Sequence, residues 1–84
     1  MDLIFLEEAW EDYLYWQNTD KTKLKRINLL IKEIRRIPFS GIGKPEPLKF
    51  DMVSFWSRRI DEEHRLVYKI QQDNLYIIQC RYHY

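Results

Sequence analysis

The last four residues, Arg81-Tyr82-His83-Tyr84, set a guanidinium, two phenols and an imidazole directly after the apolar run Leu75 to Cys80. Histidine changes protonation near neutral pH and serves readily as general acid or base. Arginine binds phosphate through a planar fork, and tyrosine can stack on a base. Together these residues point to chemistry on a nucleic-acid phosphodiester; the plainer alternative is a strand end that happens to be polar. Upstream, Glu46 is the only acid between Glu33 and Asp51, and Pro45 and Pro47 restrict its backbone on both sides. A general base for a ribose 2′-hydroxyl needs a carboxylate held in place, although most loop glutamates are simply solvated. Lys44 and Lys49 flank Glu46, and Arg58, Arg59 and Arg65 follow. Fixed cations stabilise the charge that builds on nonbridging oxygens when phosphorus is attacked. Taken singly, each is equally a solvated cation or an ion-pair partner for Glu62 or Glu63.

These side chains need elements to hold them. Leu3 to Leu6 is short and apolar, suited to a buried strand. From Glu7 the pattern turns helical, with acids near the positive end of the helix dipole, and apolar residues continue to Thr19. Asp20 is a good N-cap for a second helix, in which Leu24, Ile27, Ile31 and Ile34 form one stripe. Lys and Arg occupy its other faces until Pro38 ends it. The short connection at Asn18 to Lys21 makes the pair an antiparallel hairpin. Phe39 to Pro47 is rich in Pro and Gly and reads as a loop. Strands are expected at Phe55 to Ile60, His64 to Ile70 and Leu75 to Tyr82, with turns at Asp61 to Glu63 and Gln72 to Asn74. Consecutive strands make an antiparallel meander the simplest topology. The fold class is α+β: an N-terminal strand, a two-helix hairpin, then an antiparallel β-meander, with the helices packed on one sheet face.

Register decides which residues can act together. A two-residue turn at Gln72-Asp73 would pair Arg65 with Cys80 and share its face with Tyr82 and Tyr84. A three-residue loop, Gln72-Asp73-Asn74, would pair Arg65 with Arg81 and share its face with His83. The three-residue loop is the expectation, because asparagine tolerates the left-handed conformation its last position requires. A bulge near Arg81 would produce the same convergence. Alternation puts Arg58 and Arg59 on opposite faces, so only one can point at a shared site. His64, beside Arg65, is assigned to the turn edge and not to catalysis.

Composition narrows the classes. At 84 residues the chain, 1–84, is expected to be one small domain. Aromatics make up 15% of it, enough bulk for a short chain to bury a large apolar area, which argues against disorder despite 32% charged residues. Trp10, Tyr13, Tyr15, Trp16, Phe55 and Trp56 are assigned to core or subunit contact ahead of base stacking. Net charge is only +1, so any nucleic-acid affinity must come from local basic surface. Cys80 is the only cysteine, which rules out an internal disulfide, fits a reducing cytoplasm and suits a small buried apolar residue. Two histidines and one cysteine are a poor set of metal ligands. Acidic residues stand where a signal peptide would be basic, and no apolar stretch is long enough to cross a bilayer. Two glycines cannot form a Gly-rich phosphate loop, and no Ser/His/acid pattern stands out.

Several segments in order resemble one family. They are Glu11-Asp12-Tyr13-Leu14-Tyr15-Trp16, Gly43-Lys44-Pro45-Glu46-Pro47-Leu48-Lys49, Phe55-Trp56-Ser57-Arg58-Arg59-Ile60, Glu63-His64-Arg65-Leu66-Val67-Tyr68 and Cys80-Arg81-Tyr82-His83-Tyr84. Over nearly its full length the chain resembles the YoeB (Txe) toxins of bacterial toxin–antitoxin pairs, within the RelE/ParE superfamily. The resemblance implies a ribosome-dependent endonuclease that cuts messenger RNA at the A-site codon. It implies Glu46 as general base, His83 as general acid and Arg65 as stabiliser of the transition state. Arg59 and Lys49 would assist on phosphate, and Tyr84 would place the nucleotide or the terminal imidazole. It also implies a homodimer and a cognate, YefM-like antitoxin whose disordered segment folds over the toxin. No metal or other cofactor is required, because the attacking nucleophile belongs to the RNA. The rival reading is a non-catalytic toxin of the same superfamily that poisons a DNA topoisomerase; a plain protein-interaction module is a third.

Overall fold

The computed structural model describes residues 1–49 and 54–83. Chain order is β1 (Leu3–Phe5), α1 (Glu7–Thr19), α2 (Lys21–Arg36), β2 (Glu46–Pro47), β3 (Trp56–Arg59), β4 (Arg65–Gln71) and β5 (Asn74–Gln79). One residue, Asp20, joins the helices. Its amide donates to the Trp16 carbonyl at 2.8 Å, closing α1. Its carboxylate accepts from the amides of Thr22 and Lys23 at 3.0 and 3.2 Å, opening α2. The expected stripe of α2 is buried at Ile27, Ile31 and Ile34, and Leu30 joins it. Each such side chain contributes about 1.5–3 kcal/mol by leaving water. Arg35 and Arg36 occupy the last turn, where the helix dipole favours cations, and Ile37 caps the end before Pro38.

The five described strands form one mixed sheet in the order β1-β5-β4-β3-β2. The meander β3-β4-β5 is antiparallel as expected. The first strand lies parallel to the last, with Leu3 opposite Leu75 and Phe5 opposite Ile77. Part of the expected loop is a strand: Glu46 and Pro47 pair with Ser57 and Trp56 at the sheet edge. The Leu48 amide continues the ladder by donating to the Phe55 carbonyl at 2.8 Å. Amides at even positions therefore point inward here. Pro45 and Pro47 fall on outward positions, where a missing N–H costs no ladder bond.

The expected three-residue loop does not form. Gln71 faces Asn74, so Gln72 and Asp73 alone make the turn, with φ of 52° and 61°. Such left-handed pairs match the twist of the strands they join, which is why two-residue hairpins use them. A bulge shifts the register instead. Tyr68 faces Ile77 but Val67 faces Gln79, leaving Ile78 as the extra residue. Strand β5 ends at Gln79 and not at Tyr82. The Arg65 amide then reaches the Tyr82 carbonyl at 3.0 Å, one residue beyond the Arg81 partner that was expected.

Paired residues share a sheet face and neighbours along a strand alternate. Trp56, Leu66, Tyr68, Leu75 and Ile77 therefore face the helices, packing with Ala9, Trp16, Ile27, Leu30 and Ile34 in one core. Glu46, Ser57, Arg59, Arg65, Val67 and Gln79 lie on the other face. Of the aromatic residues assigned to core or contact, Trp16 is buried, whereas Trp10 and Tyr15 remain 47% and 38% exposed. Trp10 stacks on Tyr13 at the surface. Among the described residues no helix is long and apolar enough to cross a membrane.

Candidate active site

Glu46 is positioned from the core side of the sheet. Arg58 is fully buried, and its guanidinium donates to the carbonyls of Ile37, Ser40 and Ile42 at 2.6, 2.8 and 3.1 Å. Its Nε reaches the Tyr68 hydroxyl at 3.3 Å, and that hydroxyl donates to the Pro38 carbonyl at 2.6 Å. One arginine thus gathers the segment leading from α2 towards β2. Gly43 completes the fit. Its φ is +82°, and an added Cβ would lie 2.9 Å from a Leu30 methyl and 3.1 Å from the Arg58 Cβ. With Gly43 seated, its carbonyl takes the Arg59 amide at 2.7 Å. The Glu46 side chain then stands exposed on the open face, opposite Ser57, and Lys49 is exposed just beyond the strand.

Arg59 and Arg65 face each other across β3 and β4, two positions along from the Glu46–Ser57–Val67 row. On ordinary sheet spacings the Cα atoms of Glu46 and Arg65 are roughly 12 Å apart, a span that a carboxylate and a guanidinium can close around one phosphodiester. Arg65 is 9% exposed, more buried than a solvated surface cation. Its Nη1 donates to the carbonyls of Asp61, Glu62 and His64 at 2.7, 3.3 and 3.1 Å, so the turn itself holds the cation. A guanidinium has five N–H donors, and anchorage through one nitrogen does not exhaust it. Arg59 differs. Its Nε is buried without a hydrogen-bond partner among the described residues. The Nε of Arg81 is in the same state.

The turn between β3 and β4 is itself well fastened. Asp61 accepts from the amides of Glu63 and His64 at 2.8 and 2.6 Å and pairs with Lys23 of α2 at 2.7 Å. Burial alone would raise the Asp61 carboxyl, but the Lys23 ammonium and those amides hold it down to about 2.

The chain end leaves the sheet after Gln79 yet is held by side chains. The Cys80 amide donates to Asp12 at 3.0 Å, and the Cys80 carbonyl accepts from the Trp16 indole at 2.8 Å. Burial pushes the Asp12 carboxyl up despite the Cys80 amide, and burial followed by Asp12 pushes the Cys80 thiol well up. Cys80 is a buried thiol, as expected. The Tyr82 amide donates to His64 Nδ1 at 2.7 Å. Gln79, on the open face, donates to the carbonyls of Arg81 and His83 at 3.2 and 3.3 Å. The His83 carbonyl is thereby tied to a side chain of the face that carries Glu46, Arg59 and Arg65. Arg81 sets its guanidinium 3.4 Å above the Tyr15 ring of α1, which makes it a fastening for the tail. Tyr84 lies outside the described residues.

Sequence reasoning did not find Asp12, Trp16 and Gln79 as tail holders. Asp12 and Trp16 act on Cys80 from 68 and 64 positions away, which no local pattern announces, and the contacts of Gln79 with Arg81 and His83 are local but form only once the chain end turns out of the sheet.

A two-helix layer on one face of a five-stranded mixed sheet is the fold of small bacterial toxins of the YoeB/ParE type. A YoeB/ParE toxin from Agrobacterium tumefaciens has this fold at a TM-score of 0.98, with 50% identity over 100% of both chains. The model of the YoeB-like toxin of bacterial type II toxin–antitoxin systems matches residues 5–84. Toxin YoeB of Escherichia coli K12 is 64% identical over 84 residues, 100% of each chain. The chain belongs to the YoeB-like toxin family. The Staphylococcus aureus relative is known as a YoeB dimer (TM-score 0.93, 46% identity, covering 100% of this chain and 98% of that one). It is also known in a YoeB–YefM complex (TM-score 0.92, 45% identity, with the same coverage).

Proposed function

We propose that this toxin is an endoribonuclease that cuts messenger RNA held in the ribosomal A site and so blocks translation. Glu46 takes the proton of the ribose 2′-hydroxyl, and the freed oxygen attacks the adjacent phosphorus. The bond from phosphorus to the 5′-oxygen breaks, and protonated His83 gives its proton to that leaving oxygen. Attack from the 2′ position closes a cyclic phosphate on one fragment and leaves a 5′-hydroxyl on the other. Arg65, fixed by its turn, meets the charge on the nonbridging oxygens, with Arg59 and Lys49 beside it on phosphate. Tyr84 orients the nucleotide or the terminal imidazole. The nucleophile is supplied by the substrate, so the steps written here call for no metal or cofactor.

The observation that carries this reading is the shared face: Glu46, Arg59 and Arg65 project from the side the helices leave open, and the His83 backbone is tied over Gln79 of that same side. So short a chain has little surface for reading bases, and the ribosome would hold the message and supply orientation. By likeness to the Staphylococcus aureus structures, the working form in the cytoplasm is a homodimer, neutralised by a YefM-like antitoxin.

The test is to map message ends in a translation reaction containing the protein. Codon-phased cuts that vanish with Glu46→Gln and with His83→Gln are expected. Intact message together with inhibited DNA supercoiling would overturn the reading in favour of a topoisomerase poison.

A further inference from the structure

His64 is buried, titratable and absent from the mechanism above. Its ring stands edge-on to Trp16, with centroids 4.8 Å apart at 80°, so α1 fixes its orientation. Nδ1 accepts the Tyr82 amide at 2.7 Å, and the neutral ring therefore carries its proton on Nε2, 3.5 Å from a Glu63 carboxylate oxygen. The next residue secures the other side of Tyr82: the Arg65 amide donates to the Tyr82 carbonyl at 3.0 Å. Tyr82 has φ of 63°, a left-handed conformation that an aromatic residue adopts only when its surroundings impose it. Here the imposing groups are adjacent in sequence, and one of them belongs to Arg65.

We propose that His64 is a positioning residue for cleavage: its Nδ1 locks the left-handed turn at Tyr82 and so sets His83 against Arg65. This rests on the proposed function, in which His83 is the general acid. Arg65 and His83 lie on different segments, and through Tyr82 the step from residue 64 to residue 65 carries both. The backbone of one catalytic group and the side chain preceding it define where the other begins. Without the Nδ1 bond, Tyr82 loses what holds its amide and relaxes towards ordinary backbone, and the imidazole at residue 83 turns away from the leaving oxygen. Phosphate binding by Arg59 and Lys49, and the anchorage of the Arg65 guanidinium on backbone carbonyls, do not use the His64 ring and are left intact.

The experiment uses the full chain and ribosomes programmed with a message. Single-turnover cleavage is measured against toxin concentration, and the Tyr82 amide resonance is followed by NMR in the free toxin. In His64→Asn the side-chain oxygen occupies the place of Nδ1, whereas in His64→Gln it occupies the place of Nε2. His64→Gln and His64→Ala are expected to lower the saturating rate roughly 10- to 100-fold with little change in the half-saturating concentration. Both should also shift the Tyr82 amide upfield and speed its exchange. His64→Asn should restore the rate and the amide signal. Should His64→Ala fail to fold, the Asn and Gln pair decides the matter. Wild-type saturating rates in His64→Gln, or a loss confined to half-saturation, would overturn the proposal if His83→Gln is inactive in the same assay. Full cleavage by His83→Gln would instead overturn the general-acid assignment beneath it.

Discussion

Arg58 and Arg59 are neighbours in the chain and opposites in environment. Arg58 points into the helix-covered face, where three carbonyls and a hydroxyl accept its protons. Arg59 points to the open face, where its buried Nε has no partner among the described residues. The covered face satisfies its polar groups and so contributes stability. The open face keeps an acid exposed and a buried cationic donor without a partner among the described residues, an arrangement that costs stability. One strand, through its alternation, serves both purposes.

The largest expected effect lies on the open face. His83→Gln or Glu46→Gln should reduce message cleavage about 10²- to 10⁴-fold, while thermal unfolding monitored by circular dichroism stays close to wild type. A large stability loss in either variant would blur the contrast between the faces. Next comes the covered face. Arg58→Ala leaves the Ile37, Ser40 and Ile42 carbonyls without their donor and should destabilise the fold by about 3 kcal/mol or more in urea titration. Cleavage would fall with it, because the segment leading to Glu46 loosens.

Arg59→Met separates the faces most sharply. Cleavage should drop roughly 10-fold, yet stability should hold or rise by about 1 kcal/mol because an unpaired buried donor is removed. A destabilised Arg59→Met would mean that the side chain is structural after all. The smallest effect concerns the turn that anchors Arg65. Asp61, held down to about 2 by Lys23 and two amides against the opposing effect of burial, gives stability that is present above pH 4 and is lost as pH falls towards 2. Solvent screening limits it to about 1 kcal/mol. Comparing urea midpoints at pH 5 and pH 2 for wild type and Asp61→Asn should show this acid-sensitive component only in the former.

Much of the frame was legible. The period of Ile27, Ile31 and Ile34, the cap at Asp20 and the stop at Pro38 are local properties of the chain, and the helices follow them. Alternation correctly sent Arg58 and Arg59 to opposite faces, and the buried cysteine and the turn-edge His64 were foreseen. The pattern around the proline-flanked Glu46 predicts a loop and not the strand that forms, because two residues make too short a run to show a period. Asn74 points to a longer loop than the one that forms, because twist matching favours Gln72-Asp73 and the bulge at Ile78 makes up the offset.

By itself the sequence determined which residues were available, which helical face would be buried and how strand neighbours would divide between two sides. Those outcomes depend on spacing and on interactions within a few positions. Only the tertiary structure decided that the last residues would leave the sheet and be held by Asp12, Trp16, His64 and Gln79. That capture joins groups as far as 68 positions apart. A turn, a bulge and a left-handed Tyr82 must agree before it can form, and such agreement emerges only when the whole chain packs at once.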